Sequence, residues 1–453
     1  MIYNILDYGA ESGQVCTSAI QSALDDCCKN GGGTVVIPAG DYITGGIRLR
    51  SNTTLLLKDG AHLVGSMEPG DYFGWKTDTL EPVNPDYISD LPWLPPSQRN
   101  DPKMNMKPGC RWANGLIRAI DAENIAIIGE GTAVIDGGDC YDPEGEEHYR
   151  GPHAISMHHC RNIRLEGYTV KDSANWAQAI FFSENITAKN LRAVAGHDGI
   201  HITSCDNVTI DGCIFETGDD CIAGIDNCNV LVTDCVCNTA CSSFRFGGTN
   251  VLIENCRMTG PARYLFRGSM TKEEKAASAP SLENTGNILR DEAGHRFNML
   301  SAFTYYADFS RDIRRQPGKI LIRNCEIVNA DRLLHYNFSG NETWQNNRPL
   351  EDVTFENITA SGIRLPLNAY GDRDVPLTLE LRNCDVAFAE VPPAFMHLCH
   401  HRRVTLDNVT VNGIGDAPLI RRWSDDGVIE IRGCDVPNET VTDADEPFFA
   451  KSI

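Results

Sequence analysis

Two stretches, Asn185-Ile186-Thr187-Ala188-Lys189-Asn190-Leu191 and Asn207-Val208-Thr209-Ile210-Asp211-Gly212-Cys213, share one pattern and lie 22 residues apart. The core of the pattern is six residues long: apolar, any, apolar, any, Asn or Gly, then Cys or another apolar residue. It starts at Ile163, Ile186, Val208, Val230 and Val251, and again at Ile320, Val353, Leu379, Val404 and Ile429. Alternation of this kind marks a short β-strand with one buried face. The fifth position reads Gly167, Asn190, Gly212, Asp234, Asn255, Asn324, Asn357, Asn383, Asn408 and Gly433. These residue types tolerate left-handed backbone, which a chain needs where it turns a corner after a strand. The sixth position holds Cys213, Cys235, Cys256, Cys325, Cys384 and Cys434 among other apolar residues. One such strand cannot bury its inner face alone, so successive coils must stack.

The coil is too long for a hexapeptide β-helix and lacks the helical half of a leucine-rich repeat. The pattern therefore predicts an all-β fold, a right-handed parallel β-helix, running as a single domain over residues 1–453. A helix over 18–28, with Ile20, Ala23, Leu24 and Cys27 on its apolar face, is expected to cap the N-terminal end of the solenoid. Between Val251 and Ile320 the pattern skips 69 residues, and the polar, helix-prone segment 271–289 interrupts it. That step predicts at least one extra coil together with a cleft-covering insertion near 268–316.

Composition narrows the function. The 62 acidic and 40 basic residues give a net charge of −22, which argues against nucleic acid as a partner and makes a long polyanion a less natural one. Six of the 18 cysteines fall in the sixth-position column, where a small apolar side chain packs inside a coil, which argues against a disulfide framework, and no pair has zinc spacing. No metal and no cofactor are expected. Met1 leads into Ile2-Tyr3-Asn4-Ile5 with no apolar leader, and no run is long enough to span a membrane. The expectation is a reduced, cytoplasmic protein with no membrane partner; nothing in the sequence sets its oligomeric state.

The chemistry is concentrated in Gly196-His197-Asp198-Gly199-Ile200 and, one period later, Gly218-Asp219-Asp220-Cys221-Ile222. Residues one period apart stack on neighbouring coils, so the spacing predicts that Asp198, Asp219 and Asp220 converge, as in a glycoside hydrolase. Two carboxyls on adjacent rungs cannot both ionise freely, so at least one pKa should rise. The bland alternative is that these are turn-forming or calcium-binding aspartates. By the same period His201, Ala223 and Arg245 form a second column, with Phe244 and Phe246 turned inward and Arg245 toward the cleft. His197 adjoins Asp198, and Trp176, one period earlier, is a candidate to stack on a sugar ring. Arg150 and His153 precede a strand on the same side, and His295 and Arg296 are weaker candidates in the insertion.

The chain resembles glycoside hydrolase family 28, the polygalacturonase family of the pectin-lyase-like β-helices. The resemblance runs through Asp7-Tyr8-Gly9-Ala10, Gly31-Gly32-Gly33-Thr34-Val35-Val36-Ile37-Pro38-Ala39-Gly40 and Leu55-Leu56-Leu57-Lys58-Asp59-Gly60-Ala61. It continues in Asn124-Ile125-Ala126-Ile127-Ile128-Gly129-Glu130-Gly131, Ile135-Asp136-Gly137-Gly138, Asp172-Ser173-Ala174-Asn175-Trp176 and the two Asp motifs. It implies that Asp219 is the general acid and that Asp198 and Asp220 hold and deprotonate water. Where the family has Gly-His-Gly, this chain reads Ala240-Cys241-Ser242, so Cys241 or Ser242 replaces the His. Where the family has Arg-Ile-Lys for a uronate carboxylate, only Arg267 of Phe266-Arg267-Gly268 corresponds.

The expected function is an inverting, exo-acting glycoside hydrolase on a pectin-like or other plant-derived oligosaccharide. Arg245, His201, His197, Arg267, Trp176 and Ser242 are the candidate substrate-binding residues. The alternatives are an α-galactosidase-like or other β-helix glycosidase, a polysaccharide lyase or epimerase on the same fold, and a non-catalytic carbohydrate-binding β-helix.

Overall fold

The computed structural model describes residues 1–76, 114–146, 149–264, 266, 296–308, 312–338, 342–436 and 440–444. Nearly all of its regular structure is short parallel strands, and the chain divides into two compact units. The first comprises the described residues of 1–216, the second those of 217–266 and 282–453.

In the first unit the strands Gly33–Ile37, Thr53–Leu57, Glu123–Gly129, Arg161–Glu166, Glu184–Lys189 and Asp206–Asp211 stack in parallel register. The register aligns Val35, Leu55, Ile127, Leu165, Ala188 and Ile210 in one column, every member fully buried. This column is what the period-two pattern demands, because each strand contributes one face to a shared core.

The helix Thr17–Lys29 buries Ala19, Ile20, Ala23, Leu24 and Cys27 against the first strands and exposes Ser22, Asp25 and Asp26. Gln21 ties it down, accepting from the Arg48 amide at 2.7 Å and donating to the Arg48 carbonyl at 3.2 Å.

The second unit repeats the scheme. Val232, Ile253, Ile322, Phe355, Leu381 and Leu406 form its buried column across five parallel pairings. All ten residues at the fifth position of the unit have positive φ, from 51° at Asn190 and Asn383 to 76° at Gly167. The asparagines there also bond one another in a ladder, with Asn357 donating to Asn324 at 2.9 Å, Asn383 to Asn357 at 3.0 Å and Asn408 to Asn383 at 2.8 Å. A second ladder joins the asparagines that precede the units, Asn162 to Asn124, Asn185 to Asn162 and Asn207 to Asn185. The cysteines of the sixth position are free thiols, and all but Cys434 are buried.

The 69-residue step corrects one expectation. Val251 pairs directly with Ile320 and Arg257 with Glu326, so the two sides of the step are neighbouring rungs and no extra coil intervenes. Within it Met299–Tyr305 pairs with both Ser242–Glu254 and Ala330–Asn337. That strand belongs to the repeat on another face of the same rung, and it lies inside the range read as insertion. Residues 267–295, which carry most of that insertion, lie outside the described residues.

Candidate active site

In the second unit the Ile222–Thr233 and Ser242–Glu254 strands run side by side, with Ala223 opposite Arg245 as the period requires. Asp219 and Asp220 sit at the turn that leads into the first of them. The Asp219 carbonyl is fastened by the hydroxyls of Thr217 at 2.6 Å and Thr239 at 2.5 Å, which fixes the backbone of the pair. Asp220 is 1% exposed, and its Oδ1 accepts the Ser242 amide at 3.0 Å. Its Oδ2 lies 3.7 Å from Arg245 Nη1. Asp219 is the more open partner, 18% exposed at the side chain, with Arg296 Nη2 3.8 Å away. Burial, and next the charge of Asp219, pushes the Asp220 carboxyl up to about 6 despite Arg245.

Phe244 and Phe246 are buried and Arg245 projects between them on the other side, as strand alternation requires. The guanidinium lies 3.9 Å from the Tyr306 ring centre and 5.4 Å from that of Trp344, a cation held over aromatic faces. Arg296 lies 4.2 Å from the Phe266 ring centre in the same way. Two cations therefore flank two carboxyls, an arrangement suited to holding negative charge.

Among the described residues one group, Asp219, Asp220 and Cys241, brings three possible metal-ligand atoms within 4.8 Å of one another. Burial and the charge of Asp220 hold the Cys241 thiol well above its ordinary pKa. A protonated thiol and two adjacent guanidiniums make a poor seat for a divalent cation.

Ser242 differs from its expected role. Its hydroxyl is buried and faces Thr304 at 3.1 Å, while its amide serves Asp220, so it positions the carboxyl rather than reaching a ligand.

In the first unit Asp198 Oδ2 lies 2.8 Å from His201 Nδ1, with both side chains 3% exposed. The Trp176 ring stacks on the His201 ring at 3.6 Å and 3°. His201 thus orients Asp198, and its imidazole covers one face of the half-buried Trp176 ring. His197 is wholly buried, with its ring 5.9 Å from that of Tyr149. Arg150 donates to Asn175 at 3.2 Å. Arg267 and His295 lie outside the described residues. Tyr306 and Trp344 were not read from the sequence, because they lie on connecting segments that repeat nothing.

Stacked parallel strands carrying a fixed acidic pair are similar to those of the parallel β-helix proteins of the polygalacturonase type, and the similarity extends to known sequences and structures. Residues 106–241 match the model for glycosyl hydrolases family 28, a segment that includes Asp198, Asp219 and Asp220. A probable polygalacturonase of Vitis vinifera is 26% identical over 233 residues, covering 49% of this chain and 43% of the relative. An exo-poly-alpha-D-galacturonosidase of Dickeya chrysanthemi is 26% identical over 262 residues, covering 49% and 41%. The chain thus spans less than half the length of these curated relatives. The crystal structure of a hyperthermoactive exopolygalacturonase from Thermotoga maritima matches with a TM-score of 0.63 at 19% identity, over 91% of this chain and 92% of that one. At that identity the likeness is one of fold. The resemblance to glycoside hydrolase family 28 therefore rests on a family model, on curated relatives and on the fold.

Proposed function

We propose that the protein is a glycoside hydrolase acting on galacturonate-containing oligosaccharides from their ends, with inversion at the anomeric carbon. The observation that carries the reading is the fixed Asp219–Asp220 pair, one member buried with its carboxyl raised to about 6 and both members flanked by arginine. The glycosidic oxygen needs a proton in order to leave. Asp219, the more exposed of the two, delivers it. Asp220 holds and deprotonates the attacking water, a role that the sequence pattern also gives to Asp198. Inversion is the expected outcome because a water, rather than a carboxylate, is the attacking group. His201 keeps Asp198 oriented through its 2.8 Å contact. Arg245 is the group best suited to a sugar carboxylate, because its planar fork matches two oxygens at once.

The similarity to an enzyme named for galacturonoside chemistry supports the choice of sugar and of exo action. The N-terminal helix, with its apolar face against the first strands, is read as the cap of the solenoid.

The test is reducing-end release from trigalacturonate by the full chain and by Asp219→Asn. A folded Asp219→Asn should lose about 10²–10⁴-fold in kcat, the contribution of a general acid. Near-normal turnover in that variant would remove Asp219 from the mechanism.

A further inference from the structure

Trp344 is the large aromatic whose exposure calls for a reason. It is 38% exposed, yet the short turn Thr343–Gln345 that carries it is firmly held. The Trp344 carbonyl accepts the Ala307 amide at 2.9 Å, and the Asn347 amide donates to the Ala307 carbonyl at 2.9 Å. On the inner side, Gln345 is fully buried and its Oε1 accepts the Asn337 amide at 2.6 Å. An indole fixed by its own backbone and left open to solvent loses little entropy on binding, which is how a preorganised contact gains affinity.

Its neighbours define the ligand. Arg245 lies between Trp344 and Tyr306 and reaches toward Asp220. A ligand lying on Trp344 therefore meets an apolar plane on one side and a guanidinium at its edge, within one side chain of the acidic pair. A sugar ring has that form, with a C–H face and a polar rim.

We infer that Trp344, with Tyr306 and Arg245, forms a saccharide subsite that receives the sugar unit next to the bond being cut. Arg245 contacts the rim of that unit, including a carboxylate where one is present. The inference rests on the acidic pair being the hydrolytic centre.

The experiment uses the full chain and trigalacturonate. Trp344→Ala should raise KM by about tenfold or more and leave kcat within about threefold, the pattern of a lost binding contact. Trp344→Phe keeps an aromatic face and should restore most of the affinity. It also covers the case in which Ala loosens the turn. In the non-hydrolysing Asp219→Asn background, trigalacturonate should change the tryptophan fluorescence, and adding Trp344→Phe should remove most of that change. An unchanged KM in folded Trp344→Ala, a full fluorescence change in the Trp344→Phe background, or no binding of trigalacturonate overturns the subsite. Normal hydrolysis with an unchanged KM in Trp344→Ala removes the subsite alone. Binding that depends on Trp344 with no bond cleaved removes the hydrolase reading alone.

Discussion

Asp220 is held in a state that costs the folded protein. Its carboxyl would titrate near 3.8 when unfolded and is pushed up to about 6 by burial and by Asp219. The native state therefore binds this proton more tightly. Its contribution is fully present below about pH 3.8 and is lost as pH rises through about 6. The gap of about 2 units corresponds to something on the order of 3 kcal/mol. Asn in its place can still accept the Ser242 amide and carries no charge. Asp220→Asn is accordingly expected to raise the melting temperature at about pH 7.5 and to change it little at about pH 4. Equal gains at the two pH values would show that charge is not what the burial penalises. Arg245 makes a second prediction at this scale. Lys cannot reproduce a planar group lying over Tyr306 while reaching Asp220. Arg245→Lys should lower kcat/KM on trigalacturonate at least about tenfold, or roughly 1.4 kcal/mol of transition-state stabilisation. Full efficiency in both Arg245→Lys and Arg245→Ala would make the residue a bystander. The position and outward direction of Arg245 were legible from the period and from Phe244 and Phe246. Its aromatic partners were not, since Tyr306 and Trp344 follow no repeat.

The strand-and-corner element was the most readable part of the chain. Asn, Gly and Asp recur at the fifth position because L-residues with bulkier side chains resist positive φ, and all ten positions adopt it. Asn383, at φ 51°, also donates to Asn357 and accepts from Asn408. Asn383→Ala should therefore cost about 1–2 kcal/mol for the left-handed backbone, with a further share for the broken ladder. Asn383→Gly should cost less in urea unfolding, because Gly keeps the backbone and loses only the ladder. An Ala variant as stable as wild type would show that the corner conformation carries no strain. The step from Val251 to Ile320 was misread because Met299–Tyr305 lacks the Asn or Gly that marks a corner. Its residues gave no sign that they pair with a rung already counted. The burial of Ser242 and His197 was not legible for a related reason. Period and motif say which rung a residue occupies, but not whether packing closes over it.

Parallel stacked strands, buried apolar columns and the family 28 match over residues 106–241 all follow from a repeat that the sequence displays openly. The choice of sugar and the stereochemistry depend on a few side chains, among them Arg267 in a segment outside the described residues. The net charge of −22 makes the local arginines more consequential for an acidic sugar. One measurement addresses hydrolysis, substrate and mechanism together: proton NMR of trigalacturonate during the first turnovers by the full chain. The account predicts release of a terminal sugar whose new anomeric proton has the configuration opposite to that of the bond cleaved. A product of retained configuration would require a nucleophile about 5–5.5 Å from the acid. That result, an unsaturated product, or no cleavage at all would contradict the roles given to Asp198, Asp219 and Asp220.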